Sequence, residues 1–300
     1  MAEMFSEEEV EKLRLAGKIA SKVRRWVESQ VKPGLSVLAL CERVEEEIRR
    51  LGGQPAFPCN VDINEVGAHY TAPPGEALTI PENAVVKVDL GVHVDGYIAD
   101  TAITVCLSPE YEFMKAAAEK ALEAAINLAR PGVKVSQLGA AIQQTIEAMG
   151  FKPIRNLTGH SIGRFLIHTG KSIPNVASLD GSKLKPGELY AIEPFVTLPE
   201  AEGRVFSGPC GNIYRVVKPK PPKQEPARSV MMQILERFKS LPFTPRWLEG
   251  GKEALEGFRQ LVEKRQVSCY PMLVEASGKP VAQAEHTILV LEDRVEVTTL

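Results

Sequence analysis

The sequence predicts an α/β domain built from two similar halves, with a small helical insertion near its end. Three observations predict it: an internal repeat, a strand ending on a carboxylate in each copy, and a break in the pattern after residue 218. Pro33-Gly34, Val37, Leu40, Val44, Ile48, Leu51-Gly52 and Pro55 recur in order as Pro131-Gly132, Val135, Leu138, Ile142, Ile146, Met149-Gly150 and Pro153. Copies of about 100 residues are too large for solenoid units. The simpler expectation is a pseudo-two-fold domain whose strands, from both halves, meet in one sheet. A site built by both halves belongs at their interface.

The first helix is expected over residues 6–30, with Ser6 and Glu9 as a capping box at its start. Its counterpart covers about residues 110–129. After each comes a Pro-Gly turn and then a helix with apolar residues at three- and four-residue steps. Gly52 and Gly150 follow, each able to take the left-handed conformation that ends a helix. Residues 80–89 and 184–193 each read as a turn and a buried strand, ending on Asp89 and Glu193; His69 and His168 fall at similar places in the two copies. Over residues 219–268 the chain turns proline-rich and then helical, most clearly at 228–239 and 253–265; strands resume at 270–274 and 281–291. The expected division is therefore 1–218 with 269–300 as the main domain and 219–268 as the insertion.

Among 300 residues, 44% are hydrophobic and 25% charged, which suits an ordinary globular core. A formal charge of -2 gives no footprint for DNA or a membrane surface. The basic Lys218-Pro219-Lys220-Pro221-Pro222-Lys223 reads as a stiff, solvated connector. Residues 1–14 are acidic and carry no apolar run, so neither a signal nor a transit peptide is expected. No stretch approaches the roughly 18 apolar residues of a membrane span. The five cysteines are odd in number and lack CxxC spacing. That predicts reduced thiols in a cytoplasmic protein, and argues against both a disulfide framework and a zinc knuckle.

Residues 85–107 read as a hairpin turning at Asp95-Gly96. Val94 then pairs with Tyr97 and Asp89 faces Ala102. Asp89 and Asp100 become diagonal neighbours on one face, roughly 7–8 Å apart at Cα. An odd-length loop would put them on opposite faces. Asp is depleted in strands, and burying an unpaired carboxylate is costly. The bland alternative is a strand with one solvent-washed face; Asp95 and Asp62 fit it, as turn and loop residues.

Glu193, in Tyr190-Ala-Ile-Glu-Pro-Phe195, and Glu285, in a run of strand character, add two more acids within apolar surroundings. Four such acids on one sheet repel unless cations compensate them, and two divalent ions balance the charge. His160, in Leu157-Thr-Gly-His160, is the candidate nitrogen donor. A mixed oxygen and nitrogen set suits Mn, Fe(II), Co or Zn better than Ca. Taken alone, His69 and His168 are each more often a structural or surface histidine than a catalytic one. His93 and His286 read as structural.

Taken together these motifs resemble the methionine aminopeptidases of type 2. The carrying residues are Phe57-Pro58-Cys59-Asn60, Asn64-Glu65, Ala68-His69-Tyr70-Thr71, Val88-Asp89-Leu90-Gly91, Asp95-Gly96-Tyr97-Ile98-Ala99-Asp100-Thr101-Ala102, Gly159-His160, Ile167-His168, Ala191-Ile192-Glu193-Pro194-Phe195, Arg246-Trp247-Leu248 and Gln283-Ala284-Glu285-His286-Thr287. They run nearly end to end, and it is their ordered combination that is specific. The resemblance implies the pita-bread fold, a central antiparallel sheet covered by helices. It implies two divalent metals held by Asp89, Asp100, His160, Glu193 and Glu285, with Asp100 and Glu285 bridging. It puts His69 and His168 beside the substrate and Phe57, Ile167, Phe195 and Tyr270 around a methionine side chain. The insertion marks type 2, and the short N-terminus resembles archaeal members. Ala284 departs from the aromatic residue that relatives often carry there.

The implied reaction is removal of an N-terminal methionine from nascent proteins and peptides, preferring a small second residue, by a water bridging the metals, with Glu193 as general base. The reduced thiols predict a cytoplasmic setting, and the lack of a long exposed apolar seam predicts a monomer, with the ribosome as a candidate partner beside peptide and nascent-chain N-termini. Two rivals remain: a proline-specific or creatinase-like enzyme on the same fold, and a binding module that has lost catalysis. The first often carries a large N-terminal domain, whereas about 55 residues precede Phe57 here, and both helices in them belong to the repeat.

Overall fold

Asp95 and Gly96 take left-handed φ values of 51° and 86°, the backbone a two-residue hairpin turn requires. In this computed structural model, which describes residues 5–300, the hairpin pairs Val85–Val94 with Tyr97–Cys106. Its register has Val94 opposite Tyr97 and Asp89 opposite Ala102, as the turn dictates. Asn60–Ile63 pairs with the other edge of Val85–Val94, setting Asn60 opposite Asp89. The first four residues of the acidic N-terminal stretch lie outside the described residues.

Helix α1 (Glu7–Glu28) starts at the expected box: Ser6 Oγ accepts from the Glu9 amide, and the Glu9 carboxylate accepts from the Ser6 amide. Together with α2 (Val37–Arg50) it lays Ile19, Val23, Leu40, Val44 and Ile48 onto the hairpin's Val86, Val88 and Leu90. In the second half α3 (Glu112–Leu128) and α4 (Val135–Ala148) do the same with Leu138, Ile142 and Ile146 against Tyr190, Ile192 and Ile288.

The pseudo-two-fold is visible bond by bond. Gly34 N donates to Ile80 O and Gly132 N to Leu184 O, both at 2.8 Å; Val37 N bonds Leu78 O as Val135 N bonds Ser182 O.

The single sheet expected from the repeat is assembled from several antiparallel ladders. The first half contributes four strands. The second contributes five, ordered Val295–Val297, His286–Val290, Leu189–Ile192, Thr158–Ile162 and Ser172–Pro174. Threonine hydroxyls stitch the seam. Thr287 Oγ1 accepts from Asp100 N and donates to Asp100 O, Thr101 Oγ1 donates to Glu285 O, and Thr104 Oγ1 donates to Gln283 O.

Val205–Val216 and Val267–Glu275 form a long antiparallel pair, and the insertion leaves and rejoins the chain at their shared end. Helices α5 (Ala227–Phe238) and α6 (Gly251–Glu263) enclose a cluster of their own, including Met231, Ile234, Phe243, Phe258 and Leu261.

Two expectations need correction. Cys210 and Cys269 are bridged, with Cα atoms 5.7 Å apart on that strand pair; Cys41, Cys59 and Cys106 are free. An odd cysteine count forbids complete pairing only; cross-strand juxtaposition decides which two meet. Asp62 is not a solvated loop residue but a fully buried strand residue opposite the equally buried Lys87. Its Oδ1 accepts from the Tyr70 amide.

Candidate metal centre

Each candidate ligand is placed by a different feature of the sheet. The hairpin register puts Asp89 and Asp100 on one face, since Asp100 sits opposite Gly91, two residues beyond Asp89. His160 lies in Thr158–Ile162. Glu193 and Glu285 mark the points where a strand passes from one ladder to another. Leu189–Ile192 belongs to the five-stranded ladder, but Phe195–Thr197 pairs with Val281–Gln283 in a smaller one. Pro194 has no N–H to continue the first ladder, and beyond Glu285 the chain rejoins it as His286–Val290. Glu285 therefore stands at a strand break rather than mid-strand, where its side chain is released inward.

The five residues converge. Ligand atoms of Asp100, His160 and Glu285 all lie within 4.8 Å of one another. His160 Nε2 is 3.6 Å from Asp100 Oδ2 and 3.5 Å from Glu193 Oε1. Gln283 Nε2 approaches Glu193 at 3.4 Å and Glu285 at 3.3 Å, and Asn60 Nδ2 donates to Asp89 at 3.2 Å. Gln283 and Asn60 stand in the sequence motifs without a role assigned to them there. Gln283 lies two positions from Glu285, a period-two signal that could have found it.

The electrostatics ask for a cation. Burial raises Asp89 to about 7. Burial and then the neighbouring acids push Asp100, Glu193 and Glu285 well above the ordinary carboxylate range. Burial also lowers His160 to about 3, so its imidazole is neutral and free to donate an electron pair. Among the described residues, Asp89 Oδ1, Asp100 Oδ1 and His160 Nδ1 are buried without a hydrogen-bond partner. Orphaned acceptors of this kind beside repelling carboxylates fit divalent cations, with oxygen and nitrogen donors as expected.

The acids form one wall of a cavity. His69, His168, Phe57, Ile167 and Tyr270 line the rest, joined by Ile213 and Pro242. Phe195 is the exception among the expected pocket residues: it is buried and lines an adjoining groove with His69, His168 and Glu193. His69 is lowered to about 4 by burial, and its Nδ1 has no partner. His168 stands at the exposed rim, its ring 4.3 Å from that of His160. His93 and His286 stay outside: His93 Nδ1 accepts from Gly96 N, and His286 contacts Arg24 and Thr299.

Residues 11–292 match metallopeptidase family M24. The chain belongs to that family. It is 46% identical to a methionine aminopeptidase of Pyrococcus horikoshii over 297 residues, covering 97% of this chain and 99% of that one. A methionine aminopeptidase of Methanocaldococcus jannaschii is 44% identical over 289 residues, covering 96% and 98%. Among solved structures, methionine aminopeptidase from Thermotoga maritima superposes with a TM-score of 0.72 at 24% identity, covering 100% of this chain and 99% of that one. Divalent metals are the resident cofactors of M24 metallopeptidases, and the acid cluster described above is where this member would hold them. Among the described residues, no helix is long and apolar enough to cross a membrane.

Proposed function

We propose that this protein is a metalloaminopeptidase that removes methionine from the N-termini of peptides and nascent chains. The observation that carries the reading is convergence: four acids and a neutral His160 form one wall of a cavity whose other walls are apolar and histidine-bearing. Its relatives at 46% and 44% identity support the same activity.

Asp89, Asp100, His160, Glu193 and Glu285 would hold two divalent cations, Mn, Fe(II), Co or Zn, with Asp100 and Glu285 shared between them. Such cations supply Lewis acidity and lower the pKa of water. Glu193, whose proton affinity is raised by burial and by Asp100 and Asp89, is the general base, taking a proton on its carboxylate. His69 lines the cavity and is neutral at pH 7, so its imidazole can donate a hydrogen bond to the scissile carbonyl without adding charge. His168, lowered by burial and by the charge of Arg215, does the same from the rim.

The acid wall attracts the free α-amine and so limits cleavage to the first residue. Phe57, Ile167 and Tyr270 close around the methionine side chain, and a small second residue fits best beyond them. Phe195 supports this wall from the adjoining groove. Residues 1–218 and 269–300 form the catalytic unit, and 219–268 the insertion that marks type 2. The working unit is one chain in the cytoplasm, meeting its substrates as free peptides or at the ribosome.

Glu193→Gln tests the reading: turnover of Met-Ala-Ser should be abolished while the circular dichroism spectrum persists. Near-normal activity would overturn it. Wild-type cleavage of Ala-Pro-Gly in preference to Met-Ala-Ser would favour a proline-specific enzyme. Loss of bound and activating metal from the wild-type chain would favour a binding module.

A further inference from the structure

Outside the acid cluster, another carboxylate is buried and fully satisfied. Glu45 of α2 forms a bidentate ion pair with Arg246, and the two side chains are 2% and 4% exposed. Glu45 Oε1 accepts from Arg246 Nη2 at 2.8 Å and from the Cys59 amide at 3.2 Å. Its Oε2 accepts from Arg246 Nη1 at 2.9 Å and from the Trp247 indole at 2.7 Å. Arg246 and Trp247 sit in a short turn, Pro245–Trp247, of the insertion, while Glu45 lies in the first half of the repeat.

Burying an ion pair is weak grounds for stability, because desolvation offsets the attraction; a packed apolar pair serves as well. What this pair adds is geometry. Arg246 has further bonds, from Nε to Ala72 O at 2.7 Å and from Nη2 to Thr71 Oγ1 at 2.9 Å. Thr71 Oγ1 donates in turn to Cys59 O at 2.7 Å. The guanidinium thus fixes residues 59, 71 and 72 at once, with every nitrogen used.

His69 is two residues from Thr71 and takes a φ of 72°, which a residue with a β-carbon disfavours. Its segment is pressed from the far side by Gly211, where an added Cβ would lie 1.6 Å from His69 O. Thr71 N donates to Gly211 O, and Asn212 Nδ2 to Thr71 O. The left-handed His69 is therefore held between the 211–212 backbone and the Glu45–Arg246 clamp.

We propose that Arg246, oriented by Glu45, is a positioning residue that sets His69 toward the substrate through Thr71 and Ala72. The insertion thereby acts on the reaction without supplying a ligand to the metals. This rests on the reading of His69 as a substrate-facing group.

The test is a double-mutant cycle on Met-Ala-Ser turnover, with kcat and KM measured on metal-loaded protein well below its melting temperature. Arg246→Lys keeps the charge but loses the fork. It should lower kcat about tenfold with little change in KM or metal content, and have under about twofold effect in a His69→Ala background. Equal losses in both backgrounds, or an unchanged kcat, would overturn the inference. A His69→Ala enzyme of full activity would overturn the role of His69, and this inference with it. Should Arg246→Lys fail to fold, Thr71→Val removes the relay hydroxyl while sparing the ion pair. A severalfold kcat loss that vanishes in His69→Ala supports the proposal, and an unchanged kcat refutes it.

Discussion

Two regions of this molecule bury carboxylates, and they meet the charge problem in opposite ways. At Glu45 the protein supplies the cation itself, and burial's opposition to the charge of Arg246 is outweighed by Glu45's hydrogen bonds and charge. At Asp89, Asp100, Glu193 and Glu285 no Lys or Arg among the described residues makes an ion pair, and every one of these acids is driven toward its protonated form. Arg24 is the nearest compensation for Glu285, and it spends its hydrogen bonds on Thr101 and His286. The difference separates a carboxylate kept for architecture from carboxylates kept for an external cation.

That contrast predicts opposite signs for similar mutations. In metal-free protein at pH 8, Glu45→Ala leaves Arg246 buried without its partner and should cost about 3–5 kcal/mol of unfolding free energy in urea. Asp100→Asn removes one of several repelling acids and should raise stability in the same experiment, by about 1 kcal/mol or more. A loss at both sites would mean that the acid cluster is compensated by the protein after all.

The two regions also differ in how far the sequence revealed them. Asp89 and Asp100 could be put on one face because Asp95-Gly96 fixes a short-range register and strands alternate with period two. The repeat likewise exposed Glu193 as the second-half counterpart of Asp89. The Glu45–Arg246 clamp joins residues 201 positions apart through side chains alone, and no local period encodes that. The burial of Asp62 is illegible in the sequence for the same reason, since it depends on Lys87 across the ladder. The Cys210–Cys269 bridge was equally invisible, because counting cysteines says nothing about which strands pair. Arg246-Trp247 is legible in the sequence only as part of a family pattern, while its partner Glu45 is set by the three-dimensional packing.

The comparison extends to pH. Asp89 has a folded pKa of about 7, against about 3.9 in an unfolded chain. A group raised on folding contributes stability that is complete below about pH 4 and is lost as pH rises through about 7. Metal-free protein should therefore lose up to about 1.4 kcal/mol per pH unit per proton across that interval, read from urea midpoints. Saturating Mn should flatten the slope, since bound cations favour the ionised acids and stabilise the folded form. A slope unchanged by Mn would separate these acids from metal binding.

The smallest effect belongs to a third kind of carboxylate, one that water already compensates. Glu296 accepts two bonds at 2.8 Å from Arg14, tying α1 to the last strand, but the two side chains are 27% and 43% exposed. Exposed pairs gain little because solvent screens the attraction and ordering two long side chains costs entropy. Glu296→Gln should therefore cost under about 1 kcal/mol, and 1 M NaCl should erase most of that. A loss as large as that of Glu45→Ala would show that bidentate geometry, rather than removal from water, sets the strength of these pairs. The distinction drawn between Glu45 and the acid cluster would then have to be made on geometry alone.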